Sequence, residues 1–164
     1  MFNKRKFVIR KIKPEDKEWI RKTIRESWCS EIIVSRGKIH KADELPGFIV
    51  EDEKGSKLGL LTYEIKREKC ELVSIDSLIR RIGVGTALID RLKKEAKSKN
   101  CDSIWLIATN DNLYALGFYQ KRGFRLVAIH RNAVDVARKI KPQIPKFGED
   151  GIPLKDEVEL ETVL

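Results

Sequence analysis

The sequence predicts a mixed fold, α+β or α/β, in which a partly antiparallel sheet has helices packed on it. Two patterns favour this class. Apolar runs within residues 47–65 flank a short turn at residues 53–56, as in a β-hairpin. From residue 71 onward, strand-like and helix-like patterns alternate. The 164 residues are enough for one domain with a real core, so we expect a single domain over residues 1–164.

The first elements are a strand and a helix. Residues 7–12 have strand-like apolar content, and Pro14 with the acidic residues after it is a helix start signal. Trp19 begins an apolar stripe at helical spacing. Residues 30–46 show no consistent pattern, so the sequence leaves this segment, with His40, as a loop of unassigned structure.

The remaining elements alternate along the chain, and glycine or asparagine stands at several of their ends. In order, the sequence predicts a strand at 71–78, a helix at 86–98, a buried strand at 103–108, a helix at 112–122, a helix near 132–140 and a strand at 157–163. A proline- and glycine-rich loop precedes the last strand. No internal repeat interrupts this order.

The basic charge of the chain is unevenly distributed. The formal net charge is +9, and residues 1–41 hold 13 Lys and Arg against 5 Asp and Glu. Such an excess attracts nucleic acid, acidic substrates or anionic cofactors. Aromatic residues are not interleaved with the basic ones as base-stacking platforms would be, so a solvated basic surface is favoured over nucleic-acid binding.

Cysteine usage and the N-terminal pattern indicate a cytoplasmic protein. The three cysteines are odd in number and lack CxxC or His-paired spacing, so we expect neither a disulfide framework nor a metal site. Residues 1–13 alternate apolar and charged side chains, and no apolar run approaches the length of a membrane span. We therefore expect no signal peptide and no membrane partner.

Residues 80–86, here called the glycine loop, have the layout of a phosphate-binding turn at the start of a helix. Glycines permit a tight turn, while free N–H groups of the first helical turn and the helix dipole attract an anion. No Gly-Lys-Ser/Thr follows, which excludes a P-loop, and Leu88 replaces the third glycine of a dinucleotide fingerprint. The alternative for Gly83 and Gly85 is an ordinary turn with close helix packing.

Two motifs together resemble the GNAT superfamily of N-acetyltransferases. The first is Arg-x-x-Gly-x-Gly from Arg80, and the second is Asn-x-x-Ala-x-x-x-Tyr-x-x-x-Gly-Phe from Asn112 to Phe124. Their order, spacing and strand-to-helix contexts agree with that family. The resemblance implies a mixed, largely antiparallel central sheet with helices on both faces, and acetyl-CoA (coenzyme A) as the cofactor.

The resemblance also implies which residues hold acetyl-CoA. Backbone groups of Ile75, Asp76 and Ser77 would contact the acetyl group and the pantetheine arm. Asn112 would bind that arm, or else only cap its helix. The pyrophosphate would lie on the amides of Arg80, Arg81, Ile82, Gly83, Val84, Gly85 and Thr86. Arg81 departs from the family pattern, in which glycine is common, although its side chain could itself reach a phosphate.

Acetyl transfer from a thioester to an amine needs a neutral amine, a stabilised oxyanion and a proton for the sulfur. The resemblance implies that Tyr119 belongs to the cofactor site, near the coenzyme sulfur, and donates this proton. The alternative is a tyrosine packed between helix and sheet. Glu71, on the motif strand, resembles a carboxylate that acts as general base, with a plain surface charge as the alternative. Asp76, Glu64 and His40 are further candidates for the base.

The expected function is acetyl-CoA-dependent transfer of an acetyl group to a primary amine in a ternary complex. A non-catalytic acyl-CoA-binding regulatory domain is the main alternative, and a nucleic-acid-binding protein is the more remote one. Residues 19–46 and 133–153, expected to wall the amine site, carry no motif. The acceptor therefore stays open among a protein N-terminus, lysine, a polyamine, an aminoglycoside and a small metabolite, and so does a homodimer.

Overall fold

The structure is a computed structural model that describes residues 6–164. The opening residues of the 1–13 segment, used above to argue against a signal peptide, lie outside the described residues. Within the described part, no helix is long and apolar enough to cross a membrane. The elements are β1 (Phe7–Lys11), α1 (Lys17–Trp28), β2 (Ile32–Ser35), β3 (Lys38–Lys41), β4 (Gly47–Asp52), β5 (Lys57–Lys66), β6 (Lys69–Ser77), α2 (Val84–Ser98), β7 (Ser103–Thr109), α3 (Leu113–Gln120), β8 (Arg125–His130), α4 (Ala133–Ile140) and β9 (Glu157–Val163).

The central sheet has seven strands among the described residues, in the order β1-β4-β5-β6-β7-β9-β8. Neighbouring strands in this sheet are antiparallel, except for β6 and β7, which are parallel. This confirms the predicted, largely antiparallel sheet. Successive strand residues point to opposite faces. Phe48 packs with Leu88 of α2 on one face, whereas its neighbour Ile49 packs with Ile24 of α1 on the other. Helices therefore cover both faces, as expected.

A buried carboxylate anchors the start of α1. Residues 14–16 form a 3-10 turn before the α-helix, and Asp16 is buried there. Arg10 Nη1 of β1 donates to Asp16 Oδ2 over 2.7 Å, and Lys57 Nζ of β5 lies 3.3 Å from Asp16 Oδ1. Hydrogen bonding from the Arg10 guanidinium holds the pKa of Asp16 well below its usual range. This anchor fixes α1 and so the position of Trp28 at its far end.

The segment predicted as an unassigned loop contains a β-hairpin of β2 and β3. The expectation for His40 was wrong, because His40 lies on β3 opposite Ile33 and is only 3% exposed. The sequence did not predict this strand because its burial is opposite to its hydropathy. Polar His40 faces inward, while apolar Ile39 is 50% exposed. Ile33 joins the α1 side of the core, so the hairpin covers the sheet there.

The strands β6 and β7 diverge after a short paired stretch. They pair only from Lys69 with Ser103 to Glu71 with Trp105, although β6 continues to Ser77. Next to this point, Thr62 of β5 pairs with Ser74 and Tyr63 pairs with Leu72, which leaves Val73 as an extra residue. Such a β-bulge bends its strand. A wedge therefore opens between β6 and β7 toward the glycine loop.

Much of the basic excess at the N-terminus is neutralised by ion pairs inside the chain. Among the described residues of 6–41, six basic side chains pair with carboxylates, and these are Arg10, Lys11, Arg21, Arg25, Lys38 and Lys41. The pairs exposed on both sides, Arg25 with Glu31 and Lys41 with Glu44, add little stability. All six pairs reduce the positive field of this region, which agrees with a solvated basic surface.

Candidate active site

A cavity of about 400 Å³ lies in the wedge between β6 and β7. Its lining includes most of the residues expected to hold the cofactor, namely Ile75, Ser77, Arg80, Arg81, Gly83, Val84, Gly85, Thr86, Asn112 and Tyr119. Ile82 and Asp76 are not part of the lining, although both adjoin it in the chain. Trp28 of α1, Ser35 of the hairpin and Glu157 of β9 complete the walls. The fold thus brings both predicted motifs to one cavity.

The two glycines of the glycine loop have different physical roles. Gly83 caps α2 with a φ of 87°, a left-handed conformation that favours glycine. Gly85 has no positive φ, but a Cβ there would lie 3.0 Å from the ring of Phe118. Gly85 therefore lets α2 approach α3, as the close-packing alternative expected, while Gly83 shapes the turn itself.

At the start of α2, no side chain of the described residues covers the first-turn N–H groups. Gly83 provides no side-chain cap, and the first turn of α2 carries no acidic residue. The N–H groups of this turn consequently lack intrahelical partners and carry the positive end of the helix dipole. Arg80, Arg81 and Arg122 line the same cavity. A diphosphate such as that of acetyl-CoA fits this donor set.

Arg122 is a cavity residue that the sequence reasoning did not single out. Its Nε and Nη2 donate to Thr86 Oγ1 over 3.0 and 2.6 Å, and its Nη1 donates to the Phe118 carbonyl over 2.8 Å. The guanidinium also lies 3.6 Å from the centre of the Phe118 ring. These contacts hold a positive charge beside the first turn of α2. Its position within the second motif was the available signal.

Arg81 occupies a backbone position that explains why glycine is common there in the resembled family. Its φ is 65°, in the left-handed region that costs an ordinary residue about 1–2 kcal/mol. Neighbouring Arg80 has no such φ. The departure from the family pattern is therefore a source of backbone strain in the glycine loop.

We expect Arg81→Gly to stabilise the protein by about 0.5 kcal/mol, because relief of strain exceeds the entropy that glycine adds to the unfolded chain. Arg80→Gly is the matched control, since it removes a neighbouring guanidinium without relieving strain, and it should destabilise by a similar amount. Urea unfolding of both variants measures the difference. A loss of stability in Arg81→Gly equal to that in Arg80→Gly would contradict this explanation.

Tyr119 lies on α3 with its ring against Phe118 and Phe124, at centroid distances of 5.3 and 5.5 Å. Burial, with a smaller contribution from the Asp76 carboxylate, raises the pKa of Tyr119 well above its usual range. The tyrosine lines the cavity, and no residue within 6–164 forms a hydrogen bond with its hydroxyl. The hydroxyl therefore stays protonated at neutral pH and is free to donate. Packing and proton donation are compatible.

Asn112 combines the two roles considered for it. Its side-chain Oδ1 accepts a hydrogen bond from the Ala115 N–H over 3.0 Å, so it is the N-cap of α3. It also lines the cavity. The cap fixes the start of the helix that presents Tyr119, and the remaining amide N–H groups stay available to a ligand.

The alternative interpretation of Glu71, as a plain surface charge, is wrong. Glu71 is buried, and its Oε1 accepts a hydrogen bond from Ser35 Oγ over 2.9 Å. His40 Nε2 lies 3.5 Å from the same oxygen and is buried without a hydrogen-bond partner. Ser35 lines the cavity, whereas Glu71 does not. Glu71 therefore lies behind Ser35, one side chain away from the cavity.

The other candidate bases are also placed away from the cavity lining. Glu64 forms an ion pair with Lys38. Asp76 has a buried Oδ2 without a hydrogen-bond partner, and burial raises its pKa, an effect partly offset by polar groups of α1. Potential metal ligands of His40, Glu64 and Glu71 lie within 4.8 Å of one another. Lys38 already supplies a counter-charge to this group.

Glu157 is a carboxylate in the cavity wall that the sequence reasoning missed. It is 2% exposed, and its Oε2 accepts the Arg36 N–H over 3.2 Å. Burial raises its pKa, with partial offset by that hydrogen bond. It begins β9, for which the sequence predicted a strand and no site residue. The alternating pattern of this strand does not distinguish a buried glutamate from an exposed one.

Comparisons with known proteins agree with this geometry. The model of the acetyltransferase (GNAT) family matches residues 10–124. Protein YdhI of Bacillus subtilis (strain 168) is 45% identical over 128 residues, which are 78% of this chain and 79% of that protein.

Two solved structures have the same fold. A Bacillus subtilis acetyltransferase in complex with CoA has a TM-score of 0.69 at 19% identity, over 97% of this chain and 99% of that one. A GNAT family acetyltransferase from Elizabethkingia anophelis with acetyl-CoA bound also has a TM-score of 0.69 at 19% identity, over 96% and 98%. The ligands of both structures agree with the predicted cofactor.

Proposed function

The chain belongs to the acetyltransferase (GNAT) family, and on that premise we propose that it transfers the acetyl group of acetyl-CoA to a primary amine in a ternary complex. One observation carries the proposal: an uncapped helix start with three arginines opens into the same cavity as the buried hydroxyl of Tyr119. Acetyl-CoA supplies the activated thioester and the diphosphate anchor. An anion site beside a proton donor suits that ligand.

The residues around the wedge divide the binding work. The amides of the first turn of α2, with Arg80 and Arg122, bind the diphosphate. Beyond Glu71, β6 has no β7 partner, so backbone groups between residues 72 and 77 are available to amide groups of a ligand lying along the strand. Pairing along an unpaired strand edge is a common way to hold an extended ligand. This supports the predicted contacts at Ile75 and Ser77.

Two proton transfers are required of the protein. Tyr119 gives a proton to the departing sulfur, for which its cavity-lining hydroxyl, without a hydrogen-bond partner among the described residues, is suitable. A carboxylate takes a proton from the amine, because a cationic amine has no lone pair for attack. Glu71 stays a prediction for this role, acting through Ser35 or water. Holding the amine beside the thioester supplies much of the remaining acceleration.

An amine-panel assay tests the proposed function. The panel contains an alanine-terminated peptide, Nα-acetyl-lysine, spermidine, kanamycin and a small amino metabolite. We expect thiol release that requires both acetyl-CoA and at least one amine, with a mass gain of one acetyl group on that amine. Protein that binds acetyl-CoA but releases no thiol with any amine would contradict the proposal and favour a regulatory acyl-CoA-binding domain.

The cytoplasmic location and the homodimer stay predictions within this proposal. Light scattering on the purified protein during size exclusion measures the assembly directly.

A further inference from the structure

Glu157 stands apart from the other acids on its face of β9. Glu159 Oε2 lies 2.7 Å from His130 Nε2, and Glu161 Oε2 lies 3.4 Å from Lys69 Nζ. Within residues 6–164, Glu157 forms no ion pair with a Lys, Arg or His side chain, and its carboxylate accepts only the Arg36 N–H. A buried carboxylate without a cation is costly and favours a cationic ligand.

The cavity places Glu157 and Tyr119 on opposite faces of the sheet. Val158 packs in the same core cluster as Tyr119, on the α2 side. Glu157 precedes Val158 on the strand, so its side chain points to the α1 side. Both side chains nevertheless line one cavity, because β6 and β7 are separated there. The wedge thus connects a proton donor on one face with a carboxylate on the other.

The wall beside Glu157 is suited to the aliphatic part of an acceptor. Trp28 and Ile33 line this cavity from α1 and from the hairpin that contacts Glu157 through Arg36. An acceptor with an apolar stem would cover this apolar wall.

Resting on the proposed function, we infer that Glu157, which lines the cavity, rather than Glu71, which does not, binds the ammonium group of a cationic aliphatic acceptor and takes its first proton. The freed lone pair forms the carbon–nitrogen bond while the carbon–sulfur bond breaks. Tyr119 protonates the leaving sulfur and regains a proton from the new amide nitrogen, and Glu157 passes its proton to water. Each ammonium consumed therefore yields one amide, one thiol and one released proton.

The electrostatic surroundings of Glu157 are consistent with this role. Arg36 and His130 are the positively charged or titratable groups that favour its ionised form, while Glu71 opposes it. Burial outweighs them and raises its pKa, which brings a carboxylate nearer to the range of an effective general base at neutral pH.

Glu157→Gln tests the inference, and Glu159→Gln is the matched control on the same face of β9. With the best amine of the panel, we expect Glu157→Gln to lower kcat/KM for the amine about thirtyfold at pH 7. We expect this loss to be smaller than is usual on removal of a general base, because water that enters the site can accept the proton instead. The loss should shrink as pH approaches the pKa of the amine, where free base is abundant. Glu159→Gln should remain within about threefold of the parent.

Binding measurements separate this inference from the proposed function. For enzyme saturated with coenzyme A, calorimetry should show about tenfold weaker amine binding in Glu157→Gln, with acetyl-CoA affinity unchanged. Parent-like amine binding and turnover in this variant would overturn the role of Glu157 and leave the function intact. A parent enzyme inactive with every amine would instead overturn the function and the inference with it.

Glu157→Asp guards against a folding artefact, because it keeps the charge and shortens the reach. Glutamine can still accept the Arg36 N–H and removes a costly buried charge, so Glu157→Gln should melt at or above the temperature of the parent. If it does not, Glu157→Asp decides. Retained amine binding with slowed turnover supports the inference, and amine binding and turnover that fall as far as in Glu157→Gln, in a folded Glu157→Asp variant, overturn it.

Discussion

Replacing Tyr119 with phenylalanine is expected to lower kcat about thousandfold, within the range of a general acid, while acetyl-CoA affinity stays unchanged. Burial keeps the hydroxyl protonated, and no residue within 6–164 occupies it, so its removal leaves the sulfur without a donor. The ring packing against Phe118 and Phe124 is retained by phenylalanine. Thiol release at saturating amine measures kcat, and calorimetry measures the affinity.

Tyr114→Phe is the control for this prediction. Tyr114 lies on the same helix and lines the same cavity, but it is largely exposed, with its ring 5.7 Å from the Arg80 guanidinium. Its variant should stay within about twofold of the parent, since cation–π contact does not need the hydroxyl. Equal losses in Tyr114→Phe and Tyr119→Phe, or full activity in Tyr119→Phe, would remove Tyr119 from the mechanism.

Gly83→Val is expected to weaken acetyl-CoA binding about hundredfold. A β-branched residue at a φ of 87° costs about 1–3 kcal/mol, which the free loop can relieve by rearranging. Binding must then restore the strained turn to present the first-turn N–H groups of α2, so the strain appears as lost affinity, about tenfold for each 1.4 kcal/mol. Isothermal titration with acetyl-CoA measures the change.

Gly55→Val is the matched control, because Gly55 has a φ of 79° and, like Gly83, open space where a Cβ would lie. Gly55 belongs to the turn between β4 and β5, outside the cavity lining. It should lose stability in urea unfolding without losing acetyl-CoA affinity. If Gly83→Val and Gly55→Val have the same affinity for acetyl-CoA, the backbone conformation at Gly83 does not position the anion site.

Local patterns predicted most of the strands and helices from residue 47 onward because periodicity there agrees with burial, whereas β8, whose Leu126, Val127 and Ile129 are largely exposed, was given no bounds. The hairpin at residues 47–65 corresponds to β4 and β5, and the final strand at 157–163 corresponds to β9 without a shift. The glycine loop was identifiable because its glycines serve backbone geometry, which sequence records directly. These elements carried the family resemblance and, through it, the cofactor.

The part of the site formed by the β2–β3 hairpin and the start of β9 was not predictable in the same way. His40 faces inward on a strand whose hydropathy points the other way, so periodicity failed there. Glu157 and Glu159 occupy equivalent positions in the alternating pattern of β9. Glu157 is buried because the β2–β3 turn packs against it and donates the Arg36 N–H to its carboxylate. Glu71 was noticed for its strand position, yet whether Ser35 would cover it depends on tertiary packing.

The short seam between β6 and β7 has a consequence for how the protein responds to its ligand. Three residue pairs join the β1-β4-β5-β6 half of the sheet to the β7-β9-β8 half. One apolar core under α2 spans both halves, so the halves are expected to unfold together, while the unpaired part of β6 beside the wedge exchanges first in native-state hydrogen exchange. A ligand that spans the wedge would contact both halves of the sheet. By mass action, it would stabilise the whole chain against unfolding by an amount that grows with acetyl-CoA concentration.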